Sequence, residues 1–155
     1  MYKTIFDLIR DHRFFEGISD DDLKMIAGCG KNEIFESGKY IAKENEPADI
    51  FYVIRKGKVA IETFVPEKRP LVLQTLGAGE ILGWSWLFPP YQWTFDVKAV
   101  DEVHAIALNG KCLREKCDAD PRLGYDLMKR FARIMTERLR FTRMQILDVY
   151  GERRP

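Results

Sequence analysis

Apolar positions near the start of the chain recur at helical spacing. Ile5, Phe6, Leu8 and Ile9 form one stripe, and Phe14 and Phe15 follow it. Ser19 stands as an N-cap, with Asp20, Asp21 and Asp22 where the positive end of a helix dipole favours carboxylates. The pattern predicts a helix over Asp20 to Ala27 that stops at Gly28 or Gly30. From Lys31 to Leu108 the period shortens. Runs rich in β-branched and aromatic residues alternate with Gly, Pro and Asn: Glu33–Phe35, Tyr40–Lys43, Ile50–Arg55, Lys58–Phe64, Leu71–Leu76, Ile81–Gly83, Thr94–Val100 and Val103–Leu108. Eight strand-sized segments at this spacing predict a sandwich or closed roll. Gly57 serves a tight turn between two of them, and Pro66 to Pro70 forms a longer polar hairpin tip.

Helical spacing returns at the end. Asn109 caps a short helix through Cys117, and Asp120-Pro121 is a strong start signal for a helix reaching about Asp148. That last helix has two apolar faces. Leu123, Leu127, Phe131 and Ile134 make one. Met128, Ala132, Met135, Leu139, Thr142, Ile146 and Val149, spaced alternately by 4 and 3, make a heptad seam. One face suits the β-roll and the other a partner helix. Met128, Met135, Leu139, Ile146 and Val149 are therefore the candidate homodimer interface. The alternative is that both faces pack within one chain.

With 155 residues, 46% hydrophobic and 32% charged, the chain fits one globular domain spanning 1–155. Its parts are N-terminal helices (1–30), a β-roll (31–108) and C-terminal helices (109–150). No apolar run approaches the roughly 18 residues of a membrane span, and the N-terminus lacks a signal-peptide pattern, so a cytoplasmic protein is expected. The net charge of +1 gives no global pull toward nucleic acid or membrane. Charge is uneven, however: Pro121 to Pro155 holds nine basic and four acidic residues, which reads as a solvated helix face. Three cysteines, Cys29, Cys112 and Cys117, without C-x-x-C spacing, argue against a disulfide framework or a zinc site and predict buried reduced thiols. A redox role for Cys112 and Cys117 is the alternative. His12 and His104 stand in unrelated contexts, His104 facing solvent from a strand, and no nucleophile, metal or P-loop motif occurs. Neither catalysis nor a cofactor or metal is expected.

The distinctive stretch is Gly77 to Ala99. Trp84, Trp86, Phe88, Tyr91, Trp93 and Phe95 place six of the nineteen aromatics in twelve residues. Such a cluster is either a core plug or a stacking platform for a flat or cationic ligand.

Residues Ile41 to Gly57 resemble the first signature of cyclic-nucleotide-binding domains. Ala48 is the small residue, Phe51 to Ile54 the apolar strand, and Gly57 the turn. Asn45 stands where the family usually has Gly, a substitution that the left-handed conformation tolerates. The resemblance extends over nearly the whole chain. It implies a mainly β fold with flanking helices: a double-stranded β-helix or jelly-roll, plus the long C-terminal helix. The family's second signature, the phosphate-binding cassette, is degenerate here. Gly83, Leu87 and Thr94 match the scaffold positions. Trp84 replaces the ribose-binding Glu, Trp93 the phosphate-binding Arg, and Trp86 and Phe95 the small residues. With Ser85, these eight residues are the candidate ligand pocket. Backbone N–H groups after Gly83 could form a weak anion site.

Gln145 to Arg153 is similar to the hinge that follows the dimerisation helix of the catabolite-activator family. The chain ends at Pro155 without a recognition helix, so direct DNA binding is not expected. The resemblance implies a stand-alone regulatory sensor whose aromatic pocket has altered specificity. Two alternatives stay open: a ligand-free interaction module plugged by its own tryptophans, and a conventional cyclic-nucleotide receptor using atypical contacts.

Overall fold

A computed structural model describes residues 3–151. Helix α1 (Ile5–Arg10) is closed at its start by a reciprocal cap between Thr4 and Asp7. A 3-10 turn (Arg13–Phe15) leads to α2 (Asp20–Ala27), which the Ser19 hydroxyl caps by accepting from the Asp22 N–H. Eight strands follow: β1 (Gly30–Phe35), β2 (Tyr40–Ala42), β3 (Ile50–Lys56), β4 (Val59–Thr63), β5 (Leu71–Leu76), β6 (Ile81–Leu82), β7 (Asp96–Ala99) and β8 (Val103–Asn109). Helices α3 (Gly110–Ala119) and α4 (Pro121–Gly151) complete the order. Helix α4 runs unbroken through the hinge-like segment as far as Gly151. The rest of that segment, Glu152 and Arg153, lies outside the described residues, as does Arg154.

The strands form two antiparallel four-stranded sheets, ordered β1-β8-β3-β6 and β2-β7-β4-β5. This is the expected jelly-roll. The continuous apolar runs of β3 and β8 now have a cause, since both faces of the first sheet are covered. Tyr52 and Ile54 of β3, with Val103, Ala105 and Ala107 of β8, point into the core between the sheets. Phe51 and Val53, with Ile106 and Leu108, point the other way, onto the helices. That second core takes Leu123, Leu127 and Phe131 from the first apolar face of α4, and Ile134 packs at its edge. His104 stays partly exposed beside Glu102, 2.8 Å from its carboxylate.

Two turns show why their residue types are there. Gly57 has φ +90°, and a Cβ on it would stand 2.3 Å from the Glu102 carbonyl oxygen. Asn45 has φ +71°, the left-handed geometry anticipated for it.

The cysteine expectation is corrected. Cys29 and Cys112 are disulfide-bonded, with Cα atoms 5.8 Å apart, and only Cys117 is free. The pairing is spatial rather than sequential: the Cys29 carbonyl accepts from the Asn109 N–H, which brings the end of α2 against the start of α3. No spacing rule reveals a partner 83 residues away. Among the described residues no helix is long and apolar enough to cross a membrane.

Candidate functional site

The two signatures of the sequence meet in space. The loop holding Asn45 and Ala48 pairs with the end of the aromatic segment through three backbone hydrogen bonds. The Trp93 N–H donates to the Glu46 carbonyl at 2.9 Å, and the Trp93 carbonyl accepts from the Asn45 N–H at 2.8 Å. The Ala48 N–H donates to the Tyr91 carbonyl at 2.7 Å. The position of residue 93 is therefore fixed by main chain, whatever side chain it bears.

Trp93 is only 5% exposed and belongs to the core between the sheets. It lies near-parallel to Tyr52, with ring centroids 6.5 Å apart. Its far edge covers Gly83, where an ideal Cβ would sit 2.7 Å from the ring carbon Cη2. Gly83 has φ +98° and is itself buried. The indole thus lies against Gly83, and the following 3-10 turn (Ser85–Leu87) is a single turn.

The eight pocket candidates divide. Trp86 lies in the other core, stacked on Phe51 at 4.9 Å and set edge-on to Phe131 at 5.4 Å. It does not face a cleft, because the 3-10 turn aims it toward Gly110, whose missing side chain leaves the space its Cβ needs. Leu87 packs at the edge of the same core, and Thr94 is exposed. Ser85 is half-buried in the turn. Trp84 and Phe95 remain, edge to face at 6.3 Å, and they line a cleft of about 370 Å³ between the roll and α4. Ile61, Leu73 and Gln74 supply the strand wall, and Met135, Arg138, Leu139 and Thr142 the helix wall. The aromatic cluster thus divides, with Trp86 and Trp93 in the cores and Trp84 and Phe95 at the cleft.

Helix α4 is held over this cleft by side chains that reach strand carbonyls. Gln145 Nε2 donates to Leu73 at 3.1 Å, and Arg138 Nη2 donates to Ile81 at 2.6 Å. The Arg138 guanidinium lies over the Trp84 ring, 4.5 Å from its centroid. Its Nη1 is buried without a hydrogen-bond partner. Burial lowers its pKa to about 10, opposed in part by Glu80, so it is cationic at neutral pH. Arg138 was legible only as one of nine basic residues on a solvated face. Lys129, Arg133, Arg140 and Arg143 are indeed exposed. The missed signal was register: Met135, Arg138, Leu139 and Thr142 share one helical face, so a cation interrupts an otherwise cleft-facing stripe. Arg138 also lines a wider cleft of about 550 Å³, which mixes Arg13, Arg130 and Arg133 with Glu80 and Glu137.

The heptad seam is largely uncovered. Met128, Leu139, Ile146 and Val149 are exposed, while Met135 turns inward against the core.

The comparisons with known proteins follow the same elements. The description of the cyclic nucleotide-binding domain matches residues 32–120. The CRP-like cAMP-activated global transcriptional regulator of Mycobacterium tuberculosis is 26% identical over 135 residues, covering 87% of this chain and 58% of the regulator. Human cGMP-dependent protein kinase 2 is 28% identical over 78 residues, half of this chain and 10% of the kinase. The chain therefore spans less than two thirds of the length of these curated relatives. A candidate cyclic nucleotide-binding protein from Geobacter metallireducens superposes with a TM-score of 0.77 at 30% identity, covering 90% of this chain and 99% of that one. A cyclic nucleotide-binding domain from Methylobacillus flagellatus shares the fold, with a TM-score of 0.78 at 19% identity, covering 94% and 82%. The matched residues run from β1 through α3 and include both signature loops, and on that ground this chain belongs to the cyclic nucleotide-binding domain family.

Proposed function

We propose that this family member is a regulatory sensor that acts by binding rather than by catalysis, and that its specificity has moved away from cAMP and cGMP. The observation that carries this reading is Trp93 seated on Gly83, in the place where the family's cassette presents an Arg. A cyclic phosphate needs a cation, and a ribose hydroxyl needs an acceptor. A charge-assisted hydrogen bond contributes about 1.5–3 kcal/mol, and both such contacts are replaced by indoles at Trp93 and Trp84. The relatives named for cAMP and cGMP support a sensing role, and the cleft lined by Trp84 and Phe95 offers a site for a different, flatter and more apolar molecule. The ligand-free alternative draws support from the depth of Trp93, whose ring fills its half of the cassette.

The uncovered seam of α4 supports homodimerisation as the means of output, with Met128, Leu139, Ile146 and Val149 meeting their symmetry mates.

Isothermal calorimetry with cAMP and cGMP tests the specificity claim. Dissociation constants of about a millimolar or weaker are expected. Low-micromolar binding of either nucleotide would restore the conventional-receptor reading. Screening by tryptophan fluorescence separates the sensor from the plugged module, since only an occupied cleft perturbs Trp84.

A further inference from the structure

We propose that Cys29 and Cys112 are a redox-active pair, a thiol-modification site for a dithiol reductant, and that α3 passes the state of the pair to the Trp84–Tyr91 segment. The inference does not depend on what the cleft binds.

The pair sits where α2, β1 and α3 join. Cys29 follows α2 and Cys112 lies in the first turn of α3, with Cα atoms 5.8 Å apart. The junction has other ties. The Cys29 carbonyl accepts from the Asn109 N–H at 2.8 Å, and the Asn109 side chain caps α3 by accepting from the Cys112 N–H at 2.9 Å. Gly30, next to Cys29, is paired with Leu108 in the β1–β8 ladder. The bond can therefore open while the fold persists. Cys29 belongs to the helical core and is 8% exposed, whereas Cys112 is half-buried, so an incoming thiolate reaches Cys112 first. It attacks the Cys112 sulfur and forms a mixed disulfide, while Cys29 leaves and takes a proton. The second thiol of the reductant then attacks its own bound sulfur, Cys112 departs as a thiol, and the reductant closes into a disulfide. The pair gains two electrons and two protons, and a disulfide oxidant reverses each step. Cys117 takes no part: burial, with Asp118 and Asp120 beside it, pushes its pKa up and keeps it a thiol.

Helix α3 links the pair to the aromatic segment. The Gly110 N–H donates to the Asp49 carbonyl at 2.6 Å, and Gly110 lies so close to Trp86 that a Cβ built on it would stand 2.7 Å from the Trp86 Cβ. One turn on, Arg114 donates through Nη1 to the Trp86 carbonyl, and its guanidinium lies over Tyr91, 4.2 Å from the ring centroid. Cys112 stands between these two braces along the helix. Unbonded sulfurs cannot approach as closely as bonded ones, so reduction moves the start of α3 relative to Cys29. Gly110 and Arg114 carry that movement to Trp86, and the 3-10 turn that begins beside Trp84 carries it on. Trp93 lies off this route, since main-chain bonds to Asn45 and Glu46 hold it.

The test compares the full chain after glutathione disulfide and after dithiothreitol, both under native conditions. Alkylation in denaturant followed by mass spectrometry counts the thiols: one is expected in the oxidised chain and three in the reduced chain, with unchanged circular dichroism. The indole N–H signals are followed by NMR and assigned through Trp84→Phe, Trp86→Phe and Trp93→Phe. Reduction should displace the Trp86 and Trp84 signals by more than a linewidth and leave Trp93 in place, and reoxidation should restore them. Cys112→Ser should match the reduced spectrum and ignore both reagents, and Arg114→Gln should weaken the response of wild type. If Cys112→Ser does not fold, the reduced wild type carries the test alone. Three thiols after the oxidant, or reduction only with loss of the fold, overturns the redox-active pair. Unmoved Trp86 and Trp84 signals in a fully reduced chain, or a Trp93 shift as large as theirs, overturns the route through α3.

Discussion

Replacing Gly83 with alanine probes the contact on which the altered specificity depends. Two penalties add at this position. The backbone sits at φ +98°, where an L side chain costs about 1–2 kcal/mol. The new Cβ would also stand 2.7 Å from Cη2 and 3.2 Å from Cζ3 of Trp93. Trp93 has little room to retreat, because its main chain is pinned to Asn45 and Glu46 and its ring lies between Tyr52 and Phe95. Overpacking of this kind costs about 1–3 kcal/mol. The loss of unfolded-chain freedom returns about 0.4–1 kcal/mol, so the net destabilisation should be about 2–4 kcal/mol. Gly38 supplies the control: its φ is +87°, and nothing lies within 4 Å of a Cβ built there. Gly38→Ala therefore carries the backbone penalty alone, about 0.5–1.5 kcal/mol net. Urea unfolding followed by circular dichroism measures both. Trp93→Phe removes the ring atoms that meet residue 83, so the double variant with Gly83→Ala should show a favourable coupling of at least about 1 kcal/mol. If Gly83→Ala costs no more than Gly38→Ala and shows no coupling to Trp93→Phe, the indole does not close the cassette, and the argument against cAMP and cGMP loses its basis.

Two further outcomes follow from other parts of the chain. Leu139 and Ile146 are 71% and 52% exposed in the single chain, and each buried Leu or Ile contributes on the order of 1.5–3 kcal/mol, so Leu139→Glu and Ile146→Glu should each turn a dimer into a folded monomer by light scattering; a wild type that is monomeric at tens of micromolar, or variants that remain dimeric, would remove α4 from the interface. His12 is buried, its Nδ1 accepts from the Phe14 N–H, and burial holds its pKa below the ordinary 6.5, so the unfolded chain protonates first as pH falls through 6.5 and stability declines from there downward; His12→Asn should flatten that part of the thermal-melting profile, and an unchanged slope would show that another group governs it.

Much of the fold was legible because local and long-range signals agree. The capping residues Ser19 and Asn109 set helix starts where backbone donors need partners, and the structure keeps both starts. Gly57, a turn residue with positive φ, separates β3 and β4 within a residue or two of the expected bounds. The first face of α4 was legible because Leu123, Leu127 and Phe131 repeat at the helical period and meet a single core. The disulfide was not, because it depends on where Cys29 and Cys112 come to rest once the sheet and helices have packed.

The candidate site was half legible, and the reason lies in how a cluster of aromatics folds. Sequence spacing located the Gly83 to Phe95 segment but carried no information on which way each ring turns. The 3-10 turn at Ser85–Leu87 sends Trp86 into the helical core, two residues from Trp84 in the cleft. Trp93 and Phe95 differ for a related reason: the first is drawn inward by its pairing with the Asn45 loop, and the second stands at the cleft wall just before β7. Charge counting does not single out Arg138, because it treats every helix cation alike. Its neighbours separate it from Arg133, Arg140 and Arg143. Those three are exposed, whereas Arg138 reaches a β6 carbonyl and an indole face. Position 93 thus holds a buried indole, and the cation of the cleft, Arg138, comes from the helix wall. A ligand in that cleft would touch Leu139, a residue that also stands on the exposed seam of α4. Occupancy of the cleft and pairing of the helices would then act on one rigid element, which is the coupling a sensor requires.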